Sequence, residues 1–251
     1  MMNEKIRNWS VGLVIIGILF LSGCVTLSPV PPLSPPQFSF EMPSEGIKKS
    51  DIVVGIVAPS YNPEILMFPV MLNKDKEIIK NIVETFTRSI STDFEKILIA
   101  KGFKIIGPFP NLNEMTYPEK KGCNLVILPQ IFITTNYSSQ GIGSQFFPAG
   151  TGTITLSGFM KIEIIEPLSY EKMWIKKINF ESVLEEYQFS YYYSPSDNMN
   201  HVQIDTRPHA LQRALERSYP KTMDTVLKYL NFEEIDGLRK EAEKLREKKR
   251  Y

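Results

Sequence analysis

The sequence has few of the side chains that most enzymes use near neutral pH. Its 251 residues include two histidines and two cysteines, and neither histidine lies beside a nucleophile motif. No G-x-S-x-G, H-E-x-x-H, C-x-x-C or Walker sequence occurs. The sequence also lacks an excess of either charge, because 29 Lys and Arg balance 28 Asp and Glu. Such a chain has no overall positive charge with which to bind nucleic acid. We therefore predict a protein that binds rather than catalyses, with no cofactor and no nucleic-acid partner.

Three weaker patterns also fall short of a chemical site. "GTGTIT" (150–155) begins like a phosphate-binding glycine turn, but Thr155 stands at the last glycine position and a strand should follow instead of a helix. Glu185 and Glu186 are neighbours, which point to opposite faces of a strand, so we interpret them as a solvated pair at a hairpin end. A metal site is conceivable only from His201, Asp205 and His209. Their spacing matches no known site type, so we expect no metal.

The sequence also lacks an apolar run long enough to cross a membrane near its N-terminus. The uninterrupted run from Val11 to Leu21 is eleven residues long, whereas a spanning helix needs about 20. Positive side chains precede the run and small residues follow it, which is the layout of an export signal. Residues 21–24, Leu-Ser-Gly-Cys, are similar to the lipobox of bacterial lipoproteins. That resemblance implies removal of residues 1–23 and acylation of Cys24 with diacylglycerol and palmitate. The alternative is an uncleaved N-terminal helix with an incidental cysteine.

Proline is concentrated in residues 25–50, which hold six of the 18 prolines. Because proline lacks an amide N–H and fixes φ, this segment can form neither a helix nor an inner strand. We predict that residues 24–50 are a tether, which at about 3.1 Å per residue could hold the domain up to roughly 80 Å from the lipid. One folded domain should then span 51–251. With Cys24 acylated, Cys123 has no disulfide partner, and we predict that it is a buried small hydrophobe.

Hydrophobic patterning predicts strands in several parts of this domain. Apolar, β-branched runs occur at 51–59, 103–109 and 123–135, and Pro129 inside the last predicts a bulge or an edge position. Residues 152–193 alternate in polarity and should form an antiparallel hairpin that turns near Pro167–Ser169.

Helical periodicity predicts three helices. An apolar stripe runs from about Lys74 to Lys101, with Gly102 at the expected stop. A second helix should span about 207–230 and be kinked or restarted by Pro220. The charged C-terminal helix carries a thin apolar seam that suits packing or another helix, so an oligomer is possible through it. The seam consists of Ile235, Leu238, Ala242 and Leu245. Together these elements predict an α+β fold, a mixed or antiparallel sheet with long amphipathic helices packed on it.

One stretch suggests recognition, namely "YQFSYYYSP" at 187–195. In an extended chain, alternate side chains share a face, and here they form a row of rings that we call the aromatic row. Its members, the candidate ligand-binding residues, are Tyr187, Phe189, Tyr191 and Tyr193. Such a row could stack on sugar rings or dock a protein partner. The alternative, which we favour, is that it covers the domain's own helices, because sheet faces are commonly aromatic.

The clearest family resemblance lies in residues 158–162, Gly-Phe-Met-Lys-Ile, which run on to 165–169, Ile-Glu-Pro-Leu-Ser. These segments resemble the Gly-Phe-x-Lys strand and Glu-Pro-x-Ser ending of the neuraminyllactose-binding haemagglutinin family, lipoprotein adhesins of the flagellar sheath and outer membrane. The segments 97–107, 209–215 and 239–250 are similar to the family in character and position. The resemblance implies an α+β domain and a lipoprotein lipid-anchored at the cell outer membrane and linked to adhesion.

The resemblance does not extend to the proposed sialic-acid site of the family's namesake, a Lys/Arg-rich stretch before the Gly-Phe-x-Lys strand. The corresponding residues 134–153 contain no lysine or arginine, and a sialate carboxylate is most simply bound by such a cation. We therefore expect an adhesin that binds a glycan or protein partner without a strong sialic-acid preference. The alternative is a structural envelope or flagellar-sheath lipoprotein that acts only through protein contacts.

Overall fold

The computed structural model describes residues 30–42, 50–61, 73–142, 149–194, 196 and 199–250. Leu33–Tyr251 form one compact unit. Cys24 and the predicted signal at 1–23 lie outside the described residues. In the described part of the chain, no helix is both long and apolar enough to cross a bilayer.

Eight strands of the described residues form one mixed sheet. Their bounds are Val53–Val57 (β1), Ser60–Tyr61 (β2), Lys104–Phe109 (β3), Leu125–Ile142 (β4), Ala149–Glu166 (β5), Glu171–Asn179 (β6), Val183–Ser194 (β7) and Met199–Asp205 (β8). The order is β3-β1-β4-β5-β7-β8, with β2 on β4 and β6 on β5. β1 runs parallel to β3 and β4, β2 runs parallel to β4, and the other pairs are antiparallel. The predicted α+β class is confirmed.

The hairpin between β5 and β6 turns where the sequence predicts, at residues 167–170. Glu166, the last residue of β5, is fully buried. Its carboxylate accepts hydrogen bonds from the backbone N–H groups of Leu168 (3.2 Å) and Ser169 (2.6 Å). The buried carboxylate therefore closes the turn, which explains why a Glu-Pro pair marks it in the sequence.

Pro129 does not cause the predicted bulge. The register of β4 on β5 runs without a shift from Val126 to Ile142. On its other side, β4 pairs with β1 up to Ile127 and with β2 from Gln130. Pro129 thus lies at the gap between the β1 and β2 pairings, a position in a strand that tolerates the missing N–H of proline.

Four helices are present among the described residues: Asn73–Ala100 (α1), Tyr117–Gly122 (α2), Arg207–Tyr229 (α3) and Phe232–Lys249 (α4). The stripe of α1 enters the main core as predicted, and Gly102 follows the helix with φ +92°. α3 continues through Pro220 without the predicted restart. The seam of α4 packs into the same core, with Ile235, Leu238 and Ala242 buried. Leu245, the fourth residue of the predicted seam, is partly buried.

The proline-rich segment is not a tether along its whole length. Residues 33–42, which we call the strap, form neither helix nor strand, as their prolines require. However, the apolar side chains between the prolines pack on the main core: Leu33, Phe38, Phe40 and Met42. Phe38 lies 5.2 Å from Phe86 of α1 and 5.4 Å from Tyr219 of α3, measured between ring centroids. The compact unit therefore begins at Leu33 and not near 51, because the prolines exclude regular structure but not packing.

The second face of the sheet is covered only in part. At one end, residues around α2 close a small apolar cluster of Val57, Met115, Cys123, Val126 and Ile165. Cys123 is free and fully buried there, as predicted, and burial raises the pKa of its thiol to about 11. Beyond this cluster the outward side chains of β4, β5 and β6 meet solvent, and they include exposed Phe132 and Ile175.

Candidate functional site

The aromatic row faces inward, towards the helices. Tyr187 is buried in the main core, and Phe189 and Tyr191 are partly buried. Their rings follow one another along the strand, with centroids 6.2 Å apart for Tyr187 and Phe189 and 5.8 Å apart for Phe189 and Tyr191. The side chain of Tyr193 lies outside what the structure describes. The shared face is therefore present for the three described rings, and for Tyr187 it is an internal face.

Glycines of the neighbouring strand explain why Tyr187 can lie so close to the backbone. Gly152 of β5 stands opposite Tyr187 in the β5–β7 register. A Cβ at Gly152 would lie 2.4 Å from the carbonyl oxygen of Ser138 and 2.4 Å from the Cζ atom of Tyr187. The Tyr187 hydroxyl donates a hydrogen bond to that same carbonyl at 3.4 Å. Gly152 thus makes room for the Tyr187 ring, and "GTGTIT" lies in a strand rather than in a phosphate-binding turn.

An ion pair contacts the aromatic row at the hydroxyl group of Tyr191. Arg207, the first residue of α3, forms a salt bridge with Asp205, and its Nη2 donates to the Tyr191 hydroxyl at 2.6 Å. Burial and the nearby Asp205 carboxylate raise the pKa of Tyr191 to about 12. Asp205 is thus engaged by Arg207, and the side chain of His201 lies outside the described residues. In the described part of the chain, no group of three His, Cys, Asp or Glu could hold a metal ion.

The interpretation of Glu185 and Glu186 as a solvated pair is wrong for Glu185. The two side chains do lie on opposite faces, and Glu186 is exposed. Glu185 is 9 % exposed and accepts hydrogen bonds from Arg213 (2.8 Å) and Arg217 (2.6 Å) of α3. Burial alone would raise the pKa of Glu185, but the two guanidinium groups outweigh it and the pKa is lowered. This ion-pair triad fastens α3 to β7, a role that adjacent residues in a sequence cannot show.

A group of exposed side chains lies instead on the opposite, outward face of the sheet. We call it the outer patch: Phe132 of β4, Phe159 and Lys161 of β5, and Lys172, Ile175 and Lys177 of β6. Phe132 is 41 % exposed and Ile175 is 51 % exposed. Phe132 and Phe159 are directly opposite each other and stack with centroids 4.6 Å apart at an angle of 22°. The Lys177 ammonium lies 3.9 Å from the centroid of Phe159.

Lysine charge dominates the outer patch. Lys161 and Lys177 are directly opposite each other in the β5–β6 register. Glu163, which is buried, pairs with Lys161 at 2.5 Å and with Lys172 at 2.9 Å. Burial would raise the pKa of Glu163, but hydrogen bonds from the two lysines outweigh it and the pKa is lowered. Three lysines therefore face one ionised carboxylate, and the patch is net positive.

Sequence patterning contains a signal for the outer patch that the aromatic row obscures. In a strand of alternating polarity, the residues that point away from the core should be polar. Phe132, Phe159 and Ile175 point away from the core and are apolar. Large apolar side chains at outward positions of a sheet mark a candidate interaction surface. The aromatic row gives a stronger local pattern, because its members are every second residue of one strand, whereas the outer patch combines residues of three strands.

The fold has a counterpart among solved structures. A neuraminyllactose-binding haemagglutinin homologue from Helicobacter pylori matches with a TM-score of 0.55 and 14% sequence identity, over 81% of this chain and 99% of that chain. The likeness shows the fold alone. A protein from Xanthomonas campestris (TM-score 0.32, 8% identity, 77% of this chain and 91% of that one) and the lipoprotein GNA1162 from Neisseria meningitidis (0.27, 12%, 52% and 83%) match more weakly. No family model and no curated protein matches the sequence.

The fold of the Helicobacter pylori protein agrees with the family resemblance that the sequence motifs indicate. Two motif residues of that resemblance have clear structural reasons in this chain. Gly158 has φ +148°, and a Cβ there would lie 2.1 Å from the carbonyl oxygen of Phe132. Glu166 closes the turn and also binds Arg246 of α4 at 2.7 Å. Both positions are explained by folding, so neither marks a ligand site.

Proposed function

We propose that this protein is a lipid-anchored envelope protein of adhesin type, held at the outer membrane through Cys24, that binds a partner through the outer patch. The observation that carries the binding role is the pair of exposed apolar side chains, Phe132 and Ile175, on an uncovered sheet face. Phe132 and Ile175 lie at opposite corners of the patch, with Phe159, Lys161 and Lys177 between them. Leaving them exposed forgoes roughly 25 cal/mol for every Å² of apolar surface that could be buried. A contact that covers them recovers this free energy.

The sequence supports the lipid anchor, and the likeness of fold supports the adhesin type. The short apolar run, its positive flank and the lipobox-like residues 21–24 agree with one another. The fold is that of a haemagglutinin homologue, which is why we propose adhesion and not an internal structural role. Because residue 25 is valine and not the aspartate that retains lipoproteins at the inner membrane in well-studied sorting systems, we propose delivery to the outer membrane.

Three experiments test this function. Labelled palmitate should enter the wild-type protein and not Cys24→Ala, which should also lose stable fractionation with the envelope. Equal labelling of both proteins would contradict the anchor.

The binding face is tested in intact cells with a photo-crosslinking amino acid at position 175. Position 99, on α1, is the matched control, because Ile99 is 54 % exposed and Ile175 is 51 % exposed. We expect a discrete adduct from position 175 and none from position 99. The same adducts from both positions would refute the proposed face. Protease treatment of intact cells should remove an adhesin and spare a protein that faces the periplasm.

A further inference from the structure

We propose that the outer patch binds a short acidic polypeptide segment that also carries apolar side chains. This inference rests on the proposed binding role of that face and specifies the chemistry of the partner. Three features of the patch support it: its charge, the way its rings are used, and its extent.

The charge of the patch favours a carboxylate ligand. Like charges directly opposite each other on neighbouring strands are destabilising, and Lys161 and Lys177 hold this position. Lys161 turns to Glu163, which it shares with Lys172. In the described part of the chain, Lys177 makes no ion pair and lies over the Phe159 ring instead. A carboxylate placed between Lys161 and Lys177 would contact both ammonium groups and remove their repulsion.

The rings of the patch favour a polypeptide over a sugar. A sugar is bound on aromatic side chains by stacking on an open ring face. Both faces of Phe159 are occupied, by Phe132 on the β4 side and by the Lys177 ammonium on the β6 side. Ile175, the most exposed apolar residue of the patch, offers no ring at all. Apolar side chains of a peptide can pack on Phe132 and Ile175 without any free ring face.

The extent of the patch fits a short segment. Its two ends on β5 are Phe159 and Glu163, four residues apart, which corresponds to about 13 Å along a strand. Across β4, β5 and β6 it spans two strand spacings, or about 10 Å. An extended segment of about four residues covers this area, so the contact should be weak and salt-dependent.

The test uses the full chain, purified in a non-ionic detergent, and a fluorescein-labelled peptide of sequence Phe-Ser-Glu-Ser-Ile, whose alternate Phe, Glu and Ile side chains share one face when extended. Anisotropy titrations should show saturable binding that weakens from about 50 to about 500 mM salt. The Phe-Ser-Gln-Ser-Ile analogue should bind at least about tenfold more weakly, because it lacks charge-assisted hydrogen bonds. The double variant Lys161→Gln/Lys177→Gln should lose about as much affinity. The matched control Lys228→Gln/Lys244→Gln, two exposed lysines on α3 and α4, should bind like the wild type.

Several outcomes would overturn the inference. Equal binding of the glutamine analogue, no binding of the acidic peptide, or equal loss in the helix control would each refute the acidic-segment chemistry. Tighter binding of hyaluronan fragments or of phosphatidylglycerol vesicles through Lys161 and Lys177 would assign the patch to a different class of partner. Phe132→Ser, which leaves every charge in place, should also weaken the peptide, and unchanged affinity would refute the apolar part of the contact. The crosslinking result at position 175 is independent of the peptide, so failure of the chemistry and failure of the proposed face can be told apart.

Discussion

Replacing Arg246 with methionine would leave the Glu166 carboxylate without its cationic partner. Glu166 is 0 % exposed, and the Arg246 side chain is 18 % exposed. Arg246 donates from Nε to Glu166 at 2.7 Å and from Nη2 to the carbonyl oxygen of Cys123 at 2.6 Å. One guanidinium therefore joins α4 to the β5–β6 turn and to the start of β4. Methionine keeps most of the aliphatic length and removes all of these bonds.

We expect Arg246→Met to lower the free energy of unfolding by about 3–5 kcal/mol, the usual result when one partner of a buried ion pair is removed. For a domain of this size, about 1 kcal/mol corresponds to 2–4 °C in Tm, so Tm should fall by roughly 6–20 °C. Urea titrations followed by circular dichroism measure the first quantity and thermal melts the second. The control is Arg217→Met. The Arg217 side chain is 67 % exposed and its partner Glu185 keeps Arg213, so the loss there should stay below about 1 kcal/mol.

The pH dependence gives a second, independent check on the same pair. Burial would raise the pKa of Glu166, but hydrogen bonds from Ser169, Arg246 and Leu168 outweigh it and the pKa lies below its ordinary value of 4.5. A lowered pKa stabilises the fold fully above about 4.5, and this stabilisation is lost as the pH falls through the folded-state pKa. The difference between wild type and Arg246→Met should therefore shrink below about pH 4.5. A loss under about 1 kcal/mol at neutral pH, or a difference that does not change on acidification, would refute this account of the pair.

Four further predictions concern the strap, two glycines and the ligand. Phe38→Ala should lower the free energy of unfolding by about 1.5–2.5 kcal/mol, around half the cost of a fully buried phenylalanine, and speed proteolysis of the strap; unchanged values would mean that the strap is not docked. Gly152→Ala should destabilise by about 1–3 kcal/mol through overpacking against Ser138 and Tyr187. Gly237→Ala, where the new Cβ would have no atom within 4 Å beyond its chain neighbours and the backbone of its own helix, should stabilise by up to about 1 kcal/mol. The opposite order of the two glycine variants in thermal melts would contradict both predictions. Sialyllactose should bind no better than lactose in calorimetric titrations, because 134–153 lacks a cation and both faces of the Phe159 ring beside Lys161 and Lys177 are occupied. A preference of about tenfold would contradict this and assign a sialate carboxylate to a cationic site such as those two lysines.

The elements with strong local patterns could be predicted from the sequence. The stripe of α1 and the turn after Glu166 come from periodicity and turn chemistry, both of which act over a few residues. Cys123 was predicted correctly because an apolar run surrounds it. These features depend little on the rest of the chain.

The candidate site could not be predicted in the same way, because a period of two assigns residues to a face but does not say which face is covered. Tyr187 and Phe132 both alternate correctly, yet Tyr187 is internal and Phe132 is exposed, since α1, α3 and α4 all pack on the same side. The burial of Glu185 depends on Arg213 and Arg217, which lie 28 and 32 residues away. Contacts at that separation are set by topology, and no local pattern encodes them.

The strap changes the mechanics of the proposed attachment. Residues 25–32 are the whole chain between Cys24 and the strap, and eight residues span at most about 28 Å even when fully extended, well short of the reach of roughly 80 Å predicted for a tether to residue 50. A pulling force applied at an acylated Cys24 would enter the domain at Leu33. The first contacts to carry the load would then be the Phe38 ring against Phe86 and Tyr219, and the hydrogen bond from Gln212 to the carbonyl oxygen of Ser34 (3.2 Å). The strap would yield before the sheet, lengthening the connection under tension while the outer patch stays folded.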